Sequence, residues 1–439
     1  MKGLMKKNIF VLCAVAFVTL TFACLSYAEV LTLSGGLRLA VENNRSLKIS
    51  GSEELISEAD TLIARSPMLP RVDASLSRTF LSDQPGATFG AQTVPTAEKD
   101  SLSYSLSVQQ TLYDFRRNAA RYEASRTVLN TRRLDTVRIR NLVALDFVTG
   151  YFDLLEAEKM VLVAQKEVER LESHHRNAET LYEEGVITKN ELLQAEVRIS
   201  DARQRLLTAG NLRALTASRL NNIISRPLKT DIQPADVDGP SSDISALELE
   251  GAWQTAGRLR PEIGIVDETL SALELEKTAR RSEYFPEIFA KGGYDYTENE
   301  YQLHEGNWSF ILGMHINLFN GRGTSAEILK IDHKREKLVE QKNKLIDEIR
   351  LEVERYVLDA KTAREKISVT ENAVDQAEEN LRINRIRYEE GVGTATDVLD
   401  AVTLLTTAET NYYRAVYDLR KAEAGVIYAT GQDLSEVYK

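Results

Sequence analysis

The sequence predicts an α+β chain in which long antiparallel, coiled-coil-like helices are joined to four amphipathic β-strands. Three observations predict it. Much of the chain is written twice, as in YEEGV at Tyr182–Val186 and again at Tyr388–Val392. Two stretches, about 117–184 and 323–390, hold no proline and place apolar or small residues every three or four positions, as at Leu338, Leu345, Ile349, Val353, Tyr356 and Ala360. Two pairs of segments alternate apolar and polar residues with period two, the signature of a strand with one apolar face.

The elements follow in chain order. Residues 1–28 read as a secretory signal: Lys2, Lys6 and Lys7, an apolar run from Ile9 to about Ala23, then Ser26 and Ala28 at the −3 and −1 positions of a cleavage site. The run is short for an uncleaved anchor. Acylation of Cys24 would need a lipoprotein signal, which Thr21 and Phe22 fit poorly. Both cysteines, Cys13 and Cys24, fall inside this segment, so the mature chain has no thiol chemistry and no disulfide framework. Removal of three lysines and no acid takes the formal net charge from −11 to −14. An acidic exported chain is a poor binder of nucleic acid.

The first repeat is expected over 29–225 and the second over 247–431. A polar, turn-rich linker lies at 226–246 and a short tail at 432–439. At an offset of 206, ALDFVTGYFDLLEAEK from Ala144 aligns with RLEVERYVLDAKTARE from Arg350, and LYDFRR from Leu112 with LFNGRG from Leu318. Upstream the offset is 216, with Pro70 on Pro286. The extra ten residues belong to a loop between Pro70 and Leu112 in the second case absent. Each repeat opens with one helix, about 34–66 and 246–283. Two strands follow. SLSYSLSVQQTLYD puts Leu102, Tyr104, Leu106 and Val108 on one face; NWSFILGMHINLF does the same with Trp308, Phe310, Leu312 and Met314. Their partners are RVDASLSRTF and EIFAKGGYDY, and the loops 81–100 and 297–306 are rich in turn residues. The long helix comes next, ~100 Å at ~1.5 Å per residue. After a turn, helices of about half that length return over 189–224 and 395–430. The lengths fit a layer in which each long helix runs beside two half-length ones, packed on a narrow, alanine-rich stripe.

YEEGV then falls at the reversal between long and short helices. Gly185 and Gly391 are expected at positive φ after the last helical turn. Thr188 and Thr394, each followed three residues later by Glu191 or Asp397, read as capping boxes that open the next helix. Four strands cannot close a membrane barrel, whose smallest form has eight. Left open they expose edges, so subunits must pool them: two copies give eight strands and three give twelve.

With the signal, the duplicated unit, VQQTLYD and above all RYEEGVGTATDVLDAVTLLTTAE, the chain resembles the outer-membrane efflux proteins, the TolC family, over essentially its whole mature length. The resemblance implies a homotrimer in the outer membrane. Twelve strands would form a barrel, and twelve helices a periplasmic tunnel whose tip docks a periplasmic adaptor (membrane fusion) protein and an inner-membrane pump. It implies a pore entrance at Asp397 and Asp400, matched in the first repeat by Glu191 and Gln194. It also implies a tip tyrosine at Tyr388, matched by Tyr182, where ordinary interhelical packing is the competing role. Gly185, Val186, Thr188, Gly391, Val392 and Thr394 would form the reversals that meet the adaptor. Gly393 stands where some relatives carry an arginine that latches the tip.

No nucleophile elbow, P-loop or dinucleotide fingerprint points to an enzyme, and no cofactor or metal is expected. His174 and His175 are adjacent on a charged helix and are expected to be solvated. The competing reading is a periplasmic coiled-coil tether without a pore. The long helices fit it; the period-two strands argue against it. The cargo, whether drug, metal or protein, is not written in these residues.

Overall fold

The computed structural model describes residues 30–236 and 248–438. The expected signal segment and residues 237–246 of the expected linker lie outside the described residues.

Each half starts with two helices where one was expected. In the first, α1 (Leu33–Asn43) stops and α2 (Arg45–Arg65) restarts at Asn44, whose extended backbone (ψ 134°) breaks the helix. The Asn44 side chain accepts a hydrogen bond from the Ser46 N–H at 2.8 Å, and so caps α2. In the second half, α5 (Leu249–Leu259) ends at Arg260 and α6 starts with Pro261 (Pro261–Arg281). A residue before proline is driven out of the α region, and proline suits the first helical position, so the break is local chemistry. Arg260 is buried there against Glu262 at 3.1 Å and Glu352 at 2.9 Å. A two-residue parallel pair, β1 (Val30–Leu31) with β6 (Gln233–Pro234), ties the start of the described chain to the segment that follows the first repeat.

The four amphipathic segments form one antiparallel sheet of β2 (Arg71–Phe80), β5 (Asp100–Tyr113), β7 (Glu287–Thr297) and β8 (Gly306–His315), in the order β2-β5-β7-β8. Between β2 and β5 the expected loop contains its own hairpin, β3 (Gly86–Phe89) with β4 (Gln92–Pro95), turning at Gly90 with φ 64°. This hairpin accounts for the extra length of the first repeat. The two repeats meet at the β5–β7 pairing, where Leu106 faces Tyr294 and Val108 faces Gly292. The register carries one face across all four strands: Val72, Ala74 and Leu76; Tyr104, Leu106 and Val108; Ile288, Ala290 and Tyr294; Trp308, Phe310, Leu312 and Met314. Leu76, Trp308, Phe310, Leu312 and Met314 are each more than 60% exposed. The opposite face carries Ser75, Ser105, Ser107, Asp295 and Ser309. Strands of this length rise about 33 Å, enough to cross the apolar band of an outer membrane when tilted. β2 and β8 each have a single partner among the described residues.

Two helices of 67 residues carry the chain away from the sheet: α3 (Arg117–Glu183) and α7 (Gly323–Glu389). Both start after two successive left-handed residues, Phe115 and Arg116 in one, Gly321 and Arg322 in the other. Each is followed by a returning helix of 35 residues, α4 (Lys189–Ile223) and α8 (Ala395–Ala429), and a short α9 (Leu434–Val437) closes the described chain. α3 packs with α2 and α6 toward the sheet and with α4 and α8 toward the far end; α7 packs with α6 and α8. The stripe that makes these contacts is alanine-rich, with Ala144, Ala157, Ala164, Ala360, Ala363 and Ala377 all buried. Small side chains let long helices approach closely along a narrow seam.

Candidate functional site

The two reversals end the long helices in the same way. After α3, the Gly185 N–H donates to the Tyr182 carbonyl at 3.0 Å and the Val186 N–H to the Leu181 carbonyl at 2.8 Å. After α7, Gly391 donates to Tyr388 at 3.0 Å and Val392 to Arg387 at 2.9 Å. This paired pattern is a Schellman end, which requires a left-handed residue after the helix. Gly185 and Gly391 supply it at φ 75° and 71°. Val186 and Val392 project into solvent at the extreme tip.

Both returning helices open on a capping box. In the second, the Asp397 N–H donates to the Thr394 hydroxyl at 3.2 Å and the Thr394 N–H to the Asp397 carboxylate at 3.1 Å. Those donors hold the Asp397 carboxyl below the usual carboxylate range, the Thr394 backbone N–H first and its hydroxyl second. In the first, the Thr188 N–H reaches Glu191 at a longer 3.4 Å, and the Thr188 hydroxyl donates to the same oxygen at 3.2 Å. Asp397 and Asp400 lie three residues apart on one exposed face of α8, with Leu404 and Thr407 continuing it. Asp400 has no hydrogen bond or ion pair among the described residues and is free to meet solvent or an ion. On α4, Glu191 is half-buried and Gln194 exposed.

Gly393 has a geometric role of its own. Its N–H adds a second donor to the Arg387 carbonyl at 2.9 Å, and a Cβ there would sit 3.1 Å from backbone atoms of Arg387 and Tyr388. The first repeat has Ile187 at the matching position.

The core behind the tip joins both hairpins: Val168, Leu171, Ile199 and Ala202 with Leu381, Tyr388, Val398, Val402 and Leu405. Two polar features inside it were missed by the sequence reading. His174 is buried, 4% exposed, and not solvated as expected; its ring lies 5.0 Å from that of Tyr388. Burial, reinforced by Arg385 and His175, pushes its pKa down to about 4. Burial is also the main cause that raises the Tyr388 phenol, with Glu191 adding to it. The second feature is a bidentate ion pair across the α3–α8 seam: Arg170 donates to both oxygens of Glu409 at 2.8 and 2.7 Å, with side chains 16% and 7% exposed. A signal for both was present. Leu171, His174 and Ala178 share one stripe, as do Val398, Val402, Leu405 and Glu409, so each polar residue occupies an apolar position of its helix.

A sheet with an exposed apolar face, joined to helices ~100 Å long that end in capped reversals, is the subunit of an outer-membrane channel with a periplasmic extension. Among the described residues no helix is long and apolar enough to cross a membrane. The profile of the outer membrane efflux protein family matches residues 36–226 and 260–432, and the chain belongs to that family. It is 22% identical over 418 residues to the alkaline protease secretion protein AprF of Pseudomonas aeruginosa, covering 92% of this chain and 85% of that protein. It is also 22% identical over 407 residues to the outer membrane efflux protein BepC of Brucella suis, covering 91% and 85%. The solved outer membrane protein VceC of Vibrio cholerae superposes with a TM-score of 0.79 at 17% identity, over 92% of this chain and 96% of that one. The protein is therefore an outer-membrane efflux channel, and members of its family are the outer components of tripartite export systems.

Proposed function

We propose that three copies of this chain form a closed barrel and tunnel that carries cargo from an inner-membrane pump to the exterior. The observation that supports it is the sheet: β2 and β8 have one partner each among the described residues, so the edge of one copy can pair with the opposite edge of the next. Two copies would give an eight-stranded barrel, whose interior is filled by its own side chains; three give twelve strands and leave a bore. The helices fit the same scheme. Within one chain α8 packs on α3, and by the repeat α4 would pack on α7 of the next copy. Val197 and Leu207 on α4, and Val369 and Ile383 on α7, are exposed and available for it.

In this assembly the reversals form the periplasmic entrance. Asp397, Asp400, Glu191 and Gln194 face the bore, and Gly185, Val186, Thr188, Gly391, Val392 and Thr394 present the tip to a periplasmic adaptor protein. The cargo is what the inner-membrane partner hands over, small molecule or protein. Three Asp400 carboxylates around a narrow opening would focus negative potential. In planar bilayers the channel should favour cations and be blocked by a trivalent cation. Asp400→Ala should weaken both effects and leave the melting temperature unchanged, because Asp400 caps no helix. Unchanged selectivity and block would remove Asp400 from the entrance. A detergent-extracted protein with the mass of a monomer would overturn the assembly itself.

A further inference from the structure

We propose that the contact between His174 and Tyr388 is an acid-released latch across the seam between the two helix hairpins of one chain, loosening the periplasmic tip as the surrounding pH falls. The proposal rests on the reading of the tip as the closed entrance of an assembled pore. His174 comes from α3 and Tyr388 from α7, so their rings, 5.0 Å apart and inclined by 51°, bridge the hairpins near the reversals. The His174 Nε2 and the Tyr388 hydroxyl are both buried and without hydrogen-bond partners among the described residues. The contact is thus one of ring against ring, which a neutral imidazole makes as an apolar surface.

An imidazolium in the same place would be poorly matched. On its own helix it has His175, which faces Glu196 of α4 at 3.7 Å, and Arg170, which is committed to Glu409 of α8. From α7 come Arg385 and Tyr388, with Glu389 bonded to Asn177 at 3.2 Å. From α4, Glu191 bears on Tyr388 but is held by Thr188. The α8 members of this core, Ala395, Val398 and Val402, carry no charge. Burial and the Arg385 guanidinium act in one direction on the ring, both against its charged form.

The sign follows. The closed seam keeps His174 neutral down to a pH of about 4. In a parted seam the ring meets water and titrates near its ordinary value of about 6.5. Between those values only the parted form takes up the proton, so parting gains up to about tenfold per pH unit, about 300-fold over the whole window. Below pH ~4 both forms are protonated and the gain stops. The Arg170–Glu409 pair crosses the α3–α8 seam ~20 Å up the helix from the reversal, so the proposed parting concerns the turns beyond it.

The test is single-channel recording of the purified protein in planar bilayers from pH 7.5 to 4, on the wild type, His174→Phe and Arg385→Gln. The wild type should open more often as pH falls from about 6.5, while His174→Phe conducts as the wild type does at pH 7.5 and stays flat. Arg385→Gln should keep the response but end it at a higher pH, since the closed seam then accepts the proton sooner. An equal acid response in wild type and His174→Phe would assign the effect to the entrance carboxylates and overturn the latch. A wild type with no acid response would overturn it too. Absence of channels at every pH would instead sink the reading of the chain as a pore. If His174→Phe does not assemble, the end point in Arg385→Gln decides: no shift counts against the latch.

Discussion

Tyr182 and Tyr388 stand at matching places in the two repeats, each next to the last residue of its long helix. Tyr388 is 3% exposed and packed on His174; Tyr182 is 39% exposed. The difference comes from what lies beside each hairpin. The α7–α8 hairpin has α3 of its own chain as neighbour, whereas α4, among the described residues, packs chiefly on α3. The same contrast runs up the seam. Arg170 and Glu409 pair within the chain, but the residues that match them by the repeat are Gln376 and Arg203, which cannot form an ion pair with each other. The duplicated unit keeps its shape and caps in both copies, while the chemistry of its seams diverges: one is fixed by charge inside the subunit, and in the proposed assembly the other would be left to exposed apolar side chains between subunits.

The largest effect should come from the charged seam. Glu409→Ala leaves Arg170 nearly buried and unpaired, and should cost about 3 kcal/mol, read as a fall in melting temperature of the extracted protein. Arg203→Ala, which removes an exposed pair with Glu172, should cost less than about 1 kcal/mol. Equal losses would erase the distinction between the seams. Next come the glycines. Gly185→Val and Gly391→Val both force a β-branched residue to positive φ, and each should cost about 1–2 kcal/mol. Gly393→Ala should add a loss of its own because its Cβ meets the Arg387 backbone, whereas Ile187→Ala should not disturb the turn; melting of the four variants measures this. The smallest difference lies at the caps. Thr394→Ala should cost about 1 kcal/mol and Thr188→Ala less, since the first capping box is the looser one, its Thr188 N–H reaching Glu191 at 3.4 Å against 3.1 Å from Thr394 to Asp397. Hydrogen exchange at the Asp397 and Glu191 amides would rank the two.

The long helices and strands were legible because their signals are periodic and long: a proline-free run with small residues every three or four positions has no other economical reading, and period two over ten residues fixes a face. The reversals were legible because Gly185, Gly391, Thr188 and Thr394 are residues a Schellman end and a capping box demand. The breaks at Asn44 and Arg260 were not seen, although Asn44 is a good cap and Pro261 a plain helix starter; the apolar period runs on across both, and a local stop inside a continuing period is easily read through. The hairpin at 86–95 leaves no period-two signal in the sequence because its strands are only four residues long. His174 was misplaced because adjacent histidines among charges look solvated, and only the packing of α7 from ~210 residues away buries one of them.

The equal length of α3 and α7 has a consequence for how such a protein can change over generations. Inserting one residue in either helix would raise its tip by ~1.5 Å and turn everything beyond it by ~100°, so the alanine stripe would leave the seam. An insertion must come in a length that restores the face, and a matching one must appear in the returning helix before the contacts of the hairpin are regained. Single indels in the helical shaft are thus dead ends for a lineage. The sheet-side loops have no such bookkeeping: the ten extra residues of the first repeat sit in one of them, where length is free to drift.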